Sequence, residues 1–260
     1  MTTVTTPTAQ TGLIASLVGI RGVLSAVVVA VHLSPFALAL TPAAAPVWTA
    51  IRHHSYWALD LFFVLSGFVI TAGYRTRFAR WPGAGVYGRF LWARLSRFYP
   101  LHVAVLAALV AAVLVAPLFG LTVPHGGDLG VDVLRQLTLT QGWGGADALT
   151  WNGPTWSLSS EWFCYLLLPL IIPVVLRFRT PTAVVLGYLG AMSVPLVAYA
   201  FLGYDDAQIT YVSPLYRALG TFVAGSLLCQ LTHVGSRLPA AVGRLTGAIA
   251  ALSLAVVVGL

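Results

Sequence analysis

LHVAVLAALVAAVLVAPLFG, residues 101–120, carries no aspartate, glutamate, lysine or arginine. Wound as a helix at about 1.5 Å per residue, it would rise roughly 30 Å, the thickness of a bilayer's hydrocarbon core. His102 is its only titratable side chain and stands near one end. A helix of this length in water needs a polar face, and this one has none. Lipid is the solvent such a segment requires.

Six further apolar stretches surround it, giving predicted spans at 22–40, 56–74, 98–120, 156–176, 182–202, 211–231 and 245–260. The 260-residue chain is 58% hydrophobic and only 8% charged, where a soluble domain carries about 25% charged residues. The reading is therefore all-α: a polytopic transmembrane helical bundle of seven spans. Its last span runs to Leu260 without a polar flank and looks truncated. Residues 1–11, Thr-rich and without a periodic apolar face, read as a disordered cytosolic tail, and residues 12–260 as the transmembrane domain. Ala43–Ala45 resembles a signal-peptide cleavage site, but no basic region precedes the first stretch, which also contains His32 and Pro35. It reads as a retained span.

All 14 basic residues are arginines. With the N-terminus in the cytoplasm, the inner ends hold Arg21, Arg75, Arg77, Arg80, Arg89, Arg94, Arg97, Arg177, Arg179, Arg237 and Arg244, with no acid among them. The outer loops hold Asp128, Asp132, Asp147, Asp205 and Asp206 against Arg52 and Arg135. This asymmetry predicts a multi-pass plasma-membrane protein with a cytoplasmic N-terminus. The same distribution argues against nucleic acid, which needs a basic face on a water-exposed fold. Cys164 and Cys229 lie in apolar runs without metal-ligand spacing, so neither a metal site nor a disulfide framework is expected.

Ionisable groups inside spans are costly and therefore mark candidate sites. His32, Asp60, Glu161 and Arg217 stand out, with His102 a weaker fifth. Counted from the predicted span ends, the first four fall in the outer half and can share a cavity there, whereas Arg21 lies at the inner mouth, about 16 Å along the helix from His32. Packing alternatives exist. His32 can bond a neighbouring carbonyl, Asp60 can cap its helix, and Glu161 can pair with Arg217. At the inner side, GRFLWARLSRFYP (88–100) sets Arg94 and Arg97 three apart on one helical face, with Arg89 five earlier. Guanidinium forks match phosphate oxygens, so this stretch suits a phosphorylated cytosolic ligand, with lipid headgroups as the alternative.

Arg21-Gly22 with His32 eleven residues on, DLFFVLSGFVI (60–70), RFLWARLSRFYP (89–100) and WSLSSEWFCYLLLP (156–169) together resemble the acyltransferase family 3 membrane proteins. The four motifs cover most of residues 20–170 in the family's order; beyond residue 180 only a generic apolar pattern matches. The resemblance implies transfer of an acyl group from cytosolic acyl-CoA, a co-substrate and not a bound cofactor, to a hydroxyl of a saccharide, glycolipid or glycosylated small-molecule acceptor. It implies essential roles for Arg21 and His32, acyl-donor handling by Arg94 and Arg97, and family motifs at Ser66-Gly67 and at Trp156 with Glu161. The chain departs from the family pattern at Ala58-Leu59, where a glycine is usual before Asp60, and at Cys164-Tyr165, where Phe-Tyr is common.

His32 is then the expected general base, its imidazole poised near neutral pH. Asp60 or Glu161 would orient the ring. Arg21, Arg89, Arg94, Arg97, Ser66, Trp156 and Arg217 are the expected substrate-binding residues. The rival reading is a secondary transporter with an intramembrane His/Asp/Glu/Arg relay, which leaves the inner arginines unexplained.

Overall fold

The computed structural model describes residues 9–54, 57–123, 128–144, 152–202 and 214–235. Its helices are α1 (Ala9–Leu40), α2 (Ala45–His54), α3 (Trp57–Tyr74), α4 (Ala84–Val115), α5 (Leu129–Thr138), α6 (Trp156–Leu166), α7 (Leu168–Val175), α8 (Pro181–Leu202) and α9 (Pro214–Gly235). No strand occurs among the described residues. The all-α expectation holds. Against the seven expected spans, 4 helices among the described residues are long and apolar enough to cross a membrane, or 5 if the bent pair α6–α7 counts as one. The apolar α3 is shorter than these, and the stretch 245–260 lies outside the described residues. So does most of the expected tail over 1–11, since α1 opens at Ala9.

Two boundaries differ from the sequence reading for identifiable reasons. α4 was expected from residue 98 but begins at Ala84, immediately after Gly83 with φ 73. Leucine, arginine and alanine between them are good helix formers, so nothing stops the arginine-rich stretch from joining the apolar one. The expected span 156–176 instead bends by 63° between α6 and α7. Pro169 has no N–H to offer the Tyr165 carbonyl, which breaks the i to i+4 ladder there. The Leu167 N–H still reaches the Phe163 carbonyl at 3.1 Å, and the Leu170 N–H turns to Leu167 at 2.9 Å.

α9 is the central helix, packed on α3, α8, α6 and α7. Two glycines make the α3–α9 seam possible. A Cβ on Gly67 would overlap the Phe222 carbonyl, and one on Gly225 would overlap that of Val64. Backbones approach this closely in membranes through small residues, because packing and not water exclusion holds spans together there. The Ser226 hydroxyl also reaches the Gly67 carbonyl, at 3.4 Å.

One end of the bundle collects arginines. Arg75 donates to Gln230 Oε1 at 2.9 Å, and Gln230 Nε2 donates to the Phe178 carbonyl at 2.9 Å. These bonds bring the end of α3, the end of α9 and the α7–α8 connection together, beside Arg77, Arg80, Arg177 and Arg179. α1 and α4 stay largely uncovered, with Val29, Leu33, Phe36, Leu101 and Leu114 exposed. Such surface would aggregate in water but is ordinary against acyl chains.

Candidate active site

The hairpin between α3 and α4 shapes the arginine-rich end. Tyr74, Phe78 and Phe90 stack edge to face, with Tyr74 and Phe90 4.9 Å apart and Phe78 and Phe90 5.4 Å apart. Beside them lies a cavity of about 500 Å³ lined by Tyr74, Arg77, Val86, Arg89 and Phe90. The Arg94 guanidinium covers the same rings, 5.5 Å from Tyr74 and 5.6 Å from Phe90, and its buried Nε has no hydrogen-bond partner among the described residues. Guanidinium groups over aromatic rings form a surface for a polyanion with a flat ring system. Arg97 is exposed and takes no part in this cavity.

One side chain further into the bundle is Glu161. Phe90 meets Tyr165 at 5.9 Å, and the Tyr165 hydroxyl donates to Glu161 Oε1 at 2.6 Å. Ser66, 1% exposed, donates its hydroxyl to the same oxygen at 2.5 Å. Ser66, expected to bind substrate, is thus engaged with a carboxylate. Arg94, over the Phe90 ring that meets Tyr165, brings a cation near this cluster. Arg21 itself lies over the Phe62 ring, at 5.8 Å.

Asp60 and Arg217 belong to a different cluster. Arg217 Nε and Nη2 donate to Asp60 Oδ1 and Oδ2 at 2.6 and 2.7 Å, a bidentate fork between α3 and α9. Both side chains are largely buried, at 10% and 16% exposure. Asp60 and Ser66 are six positions apart on α3, so this pair sits about 9 Å from the Glu161 cluster. The expected common layer fails because α6 starts deeper than α3. Trp156, its first residue, packs in the core against Phe63, six positions into α3.

His32 stands apart from both carboxylates. α1 meets α3 through Arg21, Leu24, Val27 and Val28 against Ala58, Leu61, Phe62 and Leu65, and His32 is one turn beyond, exposed. Its Nδ1 is 2.7 Å from the Val28 carbonyl. A carbonyl only accepts, so Nδ1 carries the proton and the Nε2 lone pair is left outward. The ring is oriented by its own helix backbone. His102 has a structural role: its Nε2 donates to the Gln136 carbonyl at 2.9 Å and ties α4 to α5.

Two participants were not singled out in the sequence. Tyr165 follows Glu161 by one helical turn, a spacing that puts them on one face. Arg77 was read only as a topological charge, because the fold alone brings it to Arg89.

A multi-pass helical membrane protein with an arginine-lined cavity and interior carboxylates is the class that fold and sites define. The acyltransferase-3 family, described as an acyltransferase domain, matches residues 14–260, and the chain belongs to it. The chain is 33% identical over 157 residues to protein 2 in the picA locus of Rhizobium radiobacter, covering 55% of this chain and 74% of that one. It is also 33% identical over 115 residues to the acyltransferase MdmB of Streptomyces mycarofaciens, covering 44% of this chain and 27% of that protein. The chain therefore spans about a quarter of MdmB's length. No solved structure matches it. The protein is a membrane acyltransferase.

Proposed function

We propose that the protein transfers an acyl group from cytosolic acyl-CoA to a hydroxyl of a saccharide or glycosylated acceptor, with His32 as general base. The observation that carries the donor assignment is the cavity of about 500 Å³ where Arg77 and Arg89 meet Tyr74 and Phe90, with Arg94 over the same rings. The nucleotide of acyl-CoA combines phosphates with a purine, the two chemistries such a surface accepts. The arginine-rich end faces the cytoplasm under the positive-inside rule, which puts the cavity on the side where acyl-CoA is found.

From there the donor's extended arm runs along the bundle past Arg21 toward α1. His32 Nε2 takes the proton of the acceptor hydroxyl as its oxygen attacks the thioester carbonyl. Collapse of the tetrahedral intermediate expels the CoA thiolate, and the imidazolium supplies a proton to it. Nδ1 stays bonded to Val28 throughout, so the ring needs no carboxylate to hold its tautomer. Asp60, neutralised by Arg217, acts on α3–α9 packing in this scheme.

Replacing Arg77 and Arg89 together by alanine should raise the KM for acyl-CoA roughly 10- to 100-fold while the acceptor KM moves little, since a phosphate clamp binds ground and transition states alike. Arg97→Ala should leave both constants near wild type. An unchanged donor KM in the Arg77/Arg89 double variant would make these arginines topological anchors only.

A further inference from the structure

We infer that Glu161 is a donor-binding residue that accepts a hydrogen bond from the pantetheine arm of acyl-CoA, held for that role by Ser66 and Tyr165. The inference rests on acyl-CoA being the donor. Both neighbouring hydroxyls converge on one carboxylate oxygen, Oε1, at 2.5 and 2.6 Å. Oε2 receives no hydrogen bond among the described residues, yet it is not sealed from contact on this half-buried side chain. A carboxylate with one oxygen saturated and the other presented is an oriented acceptor.

What it would accept follows from its place. Phe90 lines the arginine cavity and packs against Tyr165, and Tyr165 holds Glu161, so the carboxylate lies behind the ring pair that borders the cavity. A phosphate is repelled there. The arm of acyl-CoA offers what a carboxylate binds, amide N–H groups and a hydroxyl. Arg94, over the Phe90 ring that packs against Tyr165, offsets the carboxylate's repulsion of the adjacent phosphates. The location also argues against Glu161 orienting His32. Arg21 lies over Phe62, one turn from Ser66 on α3, and His32 is eleven residues further along α1, about 16 Å away. Ser66 and Tyr165 are positioning residues: they touch Glu161 and not the donor.

Competition against labelled CoA on the purified full chain tests this, with adenosine 3′,5′-bisphosphate and 4′-phosphopantetheine as the two half-ligands. Glu161→Gln should weaken CoA and 4′-phosphopantetheine by about 10- to 100-fold, the range of a charge-assisted hydrogen bond, and leave the bisphosphate unchanged. Tyr165→Phe should move the same two ligands in the same direction. In the Glu161→Gln background Tyr165→Phe should add nothing, because a positioning residue has nothing left to position. Unchanged or tighter CoA binding by Glu161→Gln overturns the inference, since removing a charge that merely repels phosphate would have that effect. Equal weakening of both half-ligands overturns it as well. A wild-type protein that binds no CoA refutes the donor assignment instead.

Discussion

Replacing His32 by glutamine or asparagine should lower kcat by about 10²- to 10⁴-fold, the usual contribution of a general base. The asparagine variant is the sharper case. Its amide nitrogen can sit where Nδ1 sits and keep the bond to the Val28 carbonyl, but it offers no lone pair that takes a proton near neutrality. Folded yield and donor KM should be unaffected, because the exposed ring makes no hydrogen bond to another helix among the described residues. A histidine that only satisfied its helix would give the reverse pattern, with asparagine restoring most of the turnover. Steady-state kinetics on detergent-purified variants, normalised to folded protein, separates the two.

The second large effect should appear in stability. Removing one partner of a buried ion pair leaves an uncompensated charge and costs about 3–5 kcal/mol. Arg217→Ala should therefore unfold in detergent well below the wild type, as should Asp60→Ala. The double substitution Asp60→Leu with Arg217→Met should recover much of the loss, since apolar side chains can replace a buried pair. Thermal unfolding of the four proteins reads both effects. If instead Arg217→Ala keeps its stability and loses turnover, the pair belongs to the chemistry.

The sequence makes the spans legible because their signal is local. α8 and α9 fall within a few residues of their predicted ranges, since apolar composition alone marks a lipid-crossing segment, and α3 matches 56–74 as a shorter apolar helix. It does not show where a helix continues past its apolar part, so α4 was placed fourteen residues late. Nor does it show α2 and α5, which lie in stretches read as loops; α5 does carry a cap signal, Asp128 accepting from the Val131 N–H at 2.9 Å.

The candidate site was legible as a set of residue types and not as an arrangement. Asp60, Glu161 and Arg217 could be named from their cost in lipid, whereas Asp132, buried at 3% exposure, reads in the sequence as an outer-loop acid. Which carboxylate meets which cation depends on the offset between helices, and the packing of Trp156 on Phe63 sets that offset. Counting from helix starts put Asp60 and Glu161 at one depth, whereas Arg217 holds the first and Ser66 and Tyr165 hold the second.

The central claim is acyl transfer from the arginine-rich side through His32. Labelled acetyl-CoA added to inverted and to right-side-out membrane vesicles, from cells making the wild type or His32→Asn, tests it most directly. Label should enter glycosylated material only in inverted wild-type vesicles, which under the proposed orientation expose the arginine-rich end. Equal incorporation with the His32 variant, or incorporation confined to right-side-out vesicles, would contradict the account.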